Sequence, residues 1–188
     1  MPTISDPVSA MLPLGAPAPD FTLTDAVSGK TMRLADLRSN RATVILFICN
    51  HCPYVKHVDR ALVDLANDCM PKGVSFIAIS ANDPAQYPED APDKMRAEAQ
   101  RVGYPFAYLF DETQEVARAY GAVCTPDTFI FDGDMKLAYR GQLDDTRPNS
   151  GRPATAADAR AALDAILSCR PVNPIQKPSV GCSIKWKA

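Results

Sequence analysis

A pair of cysteines separated by two residues constrains this chain more than any other feature of its sequence. Cys49 and Cys52 lie in the stretch CNHCPYVK at residues 49–56, which directly follows an apolar run at residues 43–48. The pair is therefore predicted to lie where a buried strand gives way to a polar segment. With six cysteines in 188 residues, such a spacing arises by chance in roughly one chain in five or six. The surrounding elements must therefore establish its role.

Length and charge predict one domain that binds neither nucleic acid nor membranes. A chain of 188 residues buries a sizeable core without disulfide staples. Its formal net charge is -2 and its charges are interspersed, which leaves no patch for nucleic acid or anionic lipid. Residues 1–20 contain neither a basic segment nor a continuous apolar run, and no later run reaches membrane-spanning length. We therefore expect a single domain over residues 1–188, located in the cytoplasm.

Hydrophobic periodicity predicts alternating strands and helices. Residues 1–17 show no periodicity and form an irregular N-terminal arm, while residues 170–188 hold three prolines and form an irregular tail. Pro53 suits the first turn of the helix after the cysteines, where its missing N–H is no loss. The predicted elements are, in chain order, a hairpin over residues 20–34, a buried strand at 43–48, a helix at 53–70, a buried strand at 74–79, a loop at 82–93, a helix ending at Gly103, a strand at 106–110, a helix at 112–120, a hairpin at 128–140 and a helix at 155–168.

This order of elements predicts an α/β fold. Parallel strands joined by helices, followed by a β-hairpin and a final helix, give a three-layer α/β/α sandwich with a mixed central sheet. The order resembles the thioredoxin fold, here with an N-terminal β-hairpin extension and an irregular C-terminal tail.

The chemistry predicted for the cysteine pair is thiol–disulfide exchange. A cysteine attacks only as its thiolate, and the unpaired N–H groups at a helix N-terminus lower the pKa of a thiol placed there. We interpret Cys49 as the exposed nucleophile that forms a mixed disulfide with the substrate. Cys52 then attacks this disulfide and releases the reduced product. His51 supplies a cation between the two sulfurs when it is protonated.

The Thr125-Pro126 step, just ahead of the penultimate strand, is the second predicted part of the site. A proline there removes a ladder donor, and an X-Pro bond is the one place where a cis peptide is cheap. Cys124 comes two residues before this proline, which predicts a position near the pair. It either resolves an alternative disulfide or is a small buried residue. Cys182, in the tail, is the other additional redox candidate.

Several segments share a resemblance to the alkyl hydroperoxide reductase/thiol-specific antioxidant (AhpC/TSA, redoxin) branch of the thioredoxin superfamily. They are APDFTL at residues 18–23, the strand leading into the C-x-x-C pair, and the Thr125-Pro126 step. Three more resemble a peroxiredoxin-like subgroup of that branch, namely CNHCPYVK, YRGQLDD at residues 139–145 and GCSIKW at residues 181–186. The resemblance implies a thioredoxin-like fold in which a cis-proline and the threonine before it face the cysteine pair and bind the backbone of the substrate.

The chain departs from peroxiredoxins at the positions that activate peroxide. That family places a proline seven residues, and a threonine or serine three residues, before its peroxidatic cysteine. Counting back from Cys49 gives Ala42 and Leu46, and counting back from Cys52 gives Ile45 and Cys49. Peroxiredoxins also carry an arginine in the segment that here holds Pro126. Thiol–disulfide exchange therefore ranks above peroxidase chemistry.

The predicted function is a thiol-disulfide oxidoreductase that needs no cofactor. Its partners are protein or small-molecule disulfides, peroxides in the alternative of an antioxidant thiol peroxidase, and an unidentified electron donor. One rival is a soft-metal site built from Cys49, Cys52, Cys124 and His51, although structural zinc sites usually show a second closely spaced pair. The other rival is a non-catalytic interaction module of thioredoxin fold.

Two further residues have structural predictions. Outside the secretory route, six cysteines favour a catalytic pair plus core thiols over a disulfide framework. Cys69 lies on the buried stripe of its helix and is predicted to be a core thiol. Arg140 is predicted to face solvent from its strand, with a position that reaches the site as the alternative.

Overall fold

The structure, a computed structural model, describes residues 11–188, so the first ten residues of the predicted arm lie outside the described part. The strands are β1 (Thr22–Asp25), β2 (Thr31–Arg33), β3 (Ala42–Phe47), β4 (Val74–Ser80), β5 (Ala107–Phe110), β6 (Cys124–Thr125), β7 (Asp127–Asp132), β8 (Leu137–Gly141) and β9 (Cys182–Ser183). The α-helices are α1 (Leu34–Leu37), α2 (Pro53–Cys69), α3 (Pro92–Val102), α4 (Glu115–Tyr120) and α5 (Ala157–Leu167). Short 3-10 turns cover Met70–Lys72 and Pro88–Asp90.

A seven-stranded mixed sheet in the order β2-β1-β5-β4-β3-β7-β8 forms the middle of the molecule. β3, β4 and β5 run parallel, because α2 and α3 carry the chain back between them, while β7, β8 and the β1–β2 hairpin add antiparallel strands. All six residues of β3 are buried, as expected for a strand covered on both faces.

Two hydrophobic cores lie on opposite faces of this sheet. Alternate residues of a strand point to opposite faces, so Val44 and Leu46 pack with α2, α3 and α5, whereas Ile45 and Phe47 pack with α4 and the N-terminal hairpin. Ile184 of the C-terminal tail joins the second core. The predicted three-layer α/β/α sandwich with a mixed sheet and an N-terminal hairpin extension is confirmed.

Most predicted boundaries agree with the structure to within a few residues. The helix predicted over residues 112–120 begins later, at Glu115, because Gln114 has a left-handed backbone with φ of 65°. The tail is irregular, as predicted, apart from β9, which pairs antiparallel with β6. Within residues 11–188, no helix combines the length and apolar character needed to cross a membrane.

Candidate active site

β3 and α2 bring the two cysteines to the carboxyl end of a central strand. Cys52 is the N-cap residue of α2, and Pro53 is its first residue, as predicted. The Lys56 N–H donates to the Cys52 carbonyl at 3.1 Å, so the first helical hydrogen bond closes on Cys52. The sulfur at the helix N-terminus is therefore that of Cys52, and Cys49 lies three residues further out.

Both cysteines of the pair are buried. Cys49 is 2% exposed and Cys52 is 0% exposed. The prediction that Cys49 is exposed is therefore wrong, because Thr125 and the C-terminal tail lie against the sulfurs. Its role as the nucleophile stays a prediction. All six cysteines lie within the described residues, and all six are free thiols.

Thr125 and Pro126 lie beside the pair, at the position that the sequence predicted. The Thr125 hydroxyl is 3.3 Å from Cys49 Sγ, and its carbonyl oxygen is 3.3 Å from Cys52 Sγ. The Thr125-Pro126 peptide bond is cis. One residue thus contacts both sulfurs, while the role of Thr125 and Pro126 in binding a substrate stays a prediction.

His51 is held by a buried carboxylate from the loop after β4. Its Nδ1 atom is 2.5 Å from Asp90 Oδ2, and its ring stacks on Tyr87 with centroids 5.0 Å apart. Asp90 also accepts hydrogen bonds from the Asn50 backbone N–H at 2.7 Å and from Asn82 Nδ2 at 2.9 Å. The carboxylate therefore fixes both residues between the cysteines, and His51 is directed at Asp90.

The two sulfurs of the pair have opposite electrostatic character. The pKa of Cys52 is lowered, chiefly because the Cys49 thiol donates a hydrogen bond to its thiolate, with further stabilisation from the Cys182 thiol and the Val55 backbone N–H. The pKa of Cys49 is raised by that same hydrogen bond, by burial and by the nearby charge of Asp90. In this arrangement the negative charge belongs to Cys52, at the positive end of α2.

Cys182, predicted only as a further candidate, is brought directly to the pair. Its sulfur is 2.8 Å from Cys52 Sγ. The pKa of Cys182 is raised to about 11, first by burial and then by its hydrogen bond to Cys52. Three cysteines, rather than two, therefore meet at this end of the sheet.

Cys124 has a different environment. Its sulfur lies 3.9 Å from the Pro126 carbonyl oxygen, and burial raises its pKa to about 12. Because neighbouring residues of a strand point to opposite sides, Cys124 faces away from Thr125 and lines a cavity of about 130 Å³ with Asp127 and Arg140. This environment favours a small buried residue over a resolving thiol.

The prediction that Arg140 faces solvent is wrong. Its side chain is buried, donates to the Gly121 carbonyl at 2.6 Å and lies over the Phe129 ring at 5.0 Å. The tail covers its strand, because Gln176 Oε1 accepts the Arg140 backbone N–H at 2.9 Å. The sequence pattern of β8 contains no sign of this cover.

Sequence reasoning missed the buried polar residues around Asn50. The Tyr108 hydroxyl donates to Asn50 Oδ1 at 3.0 Å, and Asp90 and Asn82 complete the network. A usable signal was the polar loop after β4. Carboxyl ends of neighbouring parallel strands meet at one edge of a sheet, which places that loop beside the start of α2.

The residues whose geometry could hold a metal ion differ from the predicted set. Cys49 Sγ, a His51 ring nitrogen and an Asp90 carboxylate oxygen lie within 4.8 Å of one another. The predicted set contained Cys52 and Cys124 in place of Asp90. One thiolate, one imidazole and one carboxylate are a ligand set suited to zinc, although His51 and Asp90 already bind each other.

Comparisons with known proteins identify close relatives. The crystal structure of an uncharacterized conserved protein from Geobacillus kaustophilus is 63% identical, with a TM-score of 0.92 over 95% of this chain and 94% of that chain. A hypothetical protein from Sinorhizobium meliloti 1021 is 44% identical, with a TM-score of 0.91 over 94% of this chain and 96% of that chain. The thiol-disulfide oxidoreductase ResA of Geobacillus thermodenitrificans (strain NG80-2) is 28% identical over 126 residues, which span 66% of this chain and 66% of that protein.

The family resemblance predicted from the sequence is confirmed. More distant solved structures share the thioredoxin-like fold. The sequence profile of the AhpC/TSA family matches residues 14–140, which include the cysteine pair and the Thr125-Pro126 step. The chain belongs to the AhpC/TSA family.

Proposed function

We propose that this protein is a thiol-disulfide oxidoreductase in which Cys49 and Cys52 donate two electrons to a disulfide. The observation that carries the proposal is the contact of both sulfurs with Thr125, with Cys52 at the N-terminus of α2. A thiolate beside a second thiol is the arrangement that disulfide exchange requires. The similarity to ResA, named a thiol-disulfide oxidoreductase, supports an oxidoreductase function.

The reaction proceeds in two exchange steps. One thiolate of the pair attacks a sulfur of the substrate disulfide, and the displaced substrate sulfur leaves as a thiolate that takes up a proton. The second cysteine then loses its proton and attacks the mixed disulfide, which closes the Cys49–Cys52 disulfide and releases the second substrate thiol. If Cys49 attacks first, as its position in the sequence suggests, its proton passes to the Cys52 thiolate along their hydrogen bond.

The strand before the pair disfavours the peroxidase alternative. The positions that would hold the peroxide-activating proline and threonine, counted from Cys49, are Ala42 and Leu46. Both side chains are fully buried and pack in the core beneath α2. They offer no hydroxyl group to a peroxide. A disulfide is therefore the substrate that we propose. A cytoplasmic location is proposed from the sequence alone.

Disulfide mapping distinguishes the candidate functions. Reduced protein is mixed with one equivalent of oxidised glutathione or of hydrogen peroxide, and the resulting disulfides are identified by mass spectrometry. We expect release of two glutathione thiols and a disulfide that contains Cys52. The Cys169→Ser protein is the control, because Cys169 is exposed at the end of α5 and far along the chain from the pair.

Two outcomes would contradict the proposal. A fast reaction with peroxide, through a sulfenic acid on one cysteine, would make the protein a peroxidase. Tightly bound zinc in chelator-free reduced protein, without exchange activity, would favour the group formed by Cys49, His51 and Asp90.

A further inference from the structure

The C-terminal segment is seated on the site as a bound peptide would be. β9 pairs antiparallel with β6, with Cys182 opposite Thr125 and Ser183 opposite Cys124. The Ile184 N–H donates to the Val123 carbonyl at 3.0 Å and extends this pairing. An extended peptide gains affinity by adding a strand to an exposed edge. Here the edge beside the two sulfurs is taken by the tail of the same chain.

Residues on both sides of Cys182 hold the tail in this position. A Cβ atom at Gly181 would overlap the Thr125 carbonyl, so only glycine permits this approach. On the other side, Ile184 is buried in the core. The Lys185 N–H donates to Asn82 Oδ1 at 2.9 Å, and the Lys185 carbonyl accepts the Asp83 N–H at 2.9 Å. The placement of Cys182 is therefore built by its neighbours.

The Cys52 and Cys182 sulfurs are close to bonding distance. They lie 2.8 Å apart, whereas an S–S bond measures about 2.05 Å. Cys52 accepts hydrogen bonds from both Cys49 and Cys182, so its sulfur lies between two potential partners. Cys52 is fully buried, while Cys182 is partly exposed. Cys182 is therefore a partly exposed residue in contact with the buried Cys52 sulfur.

We propose that Cys182 is a third redox-active cysteine that shares Cys52 with Cys49, an inference that rests on the proposed exchange function. In the oxidised protein, the Cys182 thiolate attacks the Cys52 sulfur of the Cys49–Cys52 disulfide. The Cys52–Cys182 bond forms, the Cys49–Cys52 bond breaks, and the Cys49 thiolate takes up the proton that Cys182 gave up. No electron enters or leaves, because one disulfide replaces another.

The charges around Cys182 suit this exchange. In the reduced site Cys182 is held as a thiol, partly by its hydrogen bond to the Cys52 thiolate. That hydrogen bond loses its charged acceptor once Cys52 is part of a disulfide, so the pKa of Cys182 falls. The ammonium group of Lys185 favours the thiolate further. Oxidation of Cys52 thus removes part of what holds Cys182 as a thiol, while burial, the largest cause of its raised pKa, remains.

The exchange moves the disulfide to a place that a partner can reach. A Cys49–Cys52 disulfide would be buried beneath the tail, whereas a Cys52–Cys182 disulfide has one sulfur on a partly exposed residue. A thiol reductant can therefore attack Cys182 without displacing the tail. The same bond ties the tail covalently over the Thr125 edge until the reductant has acted.

Single-cysteine variants test the proposal. Reduced wild-type, Cys49→Ser, Cys182→Ser and Cys169→Ser proteins are oxidised with one equivalent of oxidised glutathione, quenched in acid and mapped by mass spectrometry without reduction. We expect a Cys52–Cys182 disulfide in Cys49→Ser, a Cys49–Cys52 disulfide in Cys182→Ser, and both disulfides in the wild type and in the Cys169→Ser control.

The outcomes distinguish a failure of this inference from a failure of the proposed exchange function. If the wild type forms only Cys49–Cys52, or if Cys49→Ser forms no Cys52–Cys182 disulfide, Cys182 is not a redox partner and the exchange function stands. If Cys182→Ser forms no Cys49–Cys52 disulfide, the exchange function itself fails.

Displacement of the tail gives a second test. Gly181→Val should push β9 away from Thr125, lower the yield of the Cys52–Cys182 disulfide by at least about tenfold, and speed the alkylation of Cys182 by a maleimide. Ser183→Val is the matched control, because Ser183 is exposed and its neighbour Ile184 keeps the tail in place. Equal disulfide yields in the two valine variants would overturn the proposal.

Discussion

The two ends of α2 carry the same residue in opposite chemical states. Cys52 precedes the first residue of the helix and Cys69 is its last residue, and both side chains are buried. Yet the pKa of Cys52 is lowered, while the pKa of Cys69 is raised by burial. Burial is common to the two, so it does not explain the difference. Neighbouring thiol donors and the helix N-terminus make a reactive thiolate of one and leave the other inert.

Removing each thiol in turn is the strongest test of this difference between Cys52 and Cys69. Cys52→Ser should lower disulfide-exchange activity by more than about 1,000-fold, the order of loss that follows removal of a covalent nucleophile. Cys69→Ser should keep activity within about twofold. Because it puts a hydroxyl into an apolar core, it should lower the free energy of unfolding by about 1–3 kcal/mol. Turnover with oxidised glutathione and urea unfolding measure the two effects. A large activity loss in Cys69→Ser would contradict the claim that Cys69 is inert.

Asp90 allows a second test, because its charge acts on the pKa of Cys49 within the same site. In Asp90→Asn, the side-chain NH2 group faces one of the N–H groups that now donate a hydrogen bond to the carboxylate, so that this hydrogen bond is lost. We expect a loss of about 1.5–3 kcal/mol of stability and, since His51 and Asn50 lose their fixed positions, a roughly 10- to 100-fold slower exchange. The pKa of Cys49 should fall, because the charge of Asp90 contributes to raising it.

The matched control for Asp90 is Glu89→Gln, which removes one negative charge at the neighbouring exposed position. Stopped-flow exchange and urea unfolding are the measurements. If Glu89→Gln slows exchange as much as Asp90→Asn does, the effect comes from net charge and the positioning role of Asp90 is wrong.

Titration of the thiolate tests the origin of the low pKa at Cys52. The ultraviolet absorbance of reduced protein should show one thiolate forming well below the ordinary cysteine pKa of about 8.5. This transition should be absent from Cys52→Ser. It should move to higher pH in Cys49→Ala, which has no side-chain donor, since the hydrogen bond from Cys49 is the largest cause of the shift. A low-pH transition that survives in Cys52→Ser would assign the thiolate to another cysteine.

The smallest expected effect is on stability against pH, where the two cysteines act in opposite directions. The folded-state pKa of Cys52 is below the unfolded value of about 8.5, so between these values the unfolded chain binds more protons and stability rises with pH. The folded-state pKa of Cys69 is above it, so stability falls as pH rises beyond about 8.5.

Urea unfolding under reducing conditions, from about pH 6 to about pH 10, separates the two contributions. Cys52→Ser should flatten the rise below the unfolded pKa. Cys69→Ser should reduce the fall above it by the share of Cys69 alone, because the pKa values of Cys49, Cys124 and Cys182 are also raised. Identical pH profiles for the two variants would show that the two thiols titrate alike.

Local and nearest-neighbour features were predictable from the sequence. The apolar run of β3, the helix start at Pro53 and the step at Thr125-Pro126 each depend on residues close along the chain. They sufficed for the fold, the family and the position of the cysteine pair. The wrong prediction that Cys49 is exposed also came from local features, because the residues that cover the pair lie in distant parts of the chain.

The contacts that the sequence did not reveal join distant segments, and they include the contact of Cys182, which was a predicted redox candidate of unknown position. Asp90 is 39 residues from His51, and Cys182 is 130 residues from Cys52. No periodicity or spacing relates such segments. Arg140 was misplaced for the same reason, since Gln176 of the tail binds its backbone N–H and lies 36 residues away.

The late arrival of β9 has a consequence during synthesis. Because 130 residues separate Cys52 from Cys182, and translation adds about 5–20 residues per second, the ribosome delivers the covering strand on the order of 10 s after the thiolate that it covers. Through that interval the nascent chain presents an uncovered cysteine pair to every disulfide around it. A chain that ended before β9 would leave the pair in that open condition permanently.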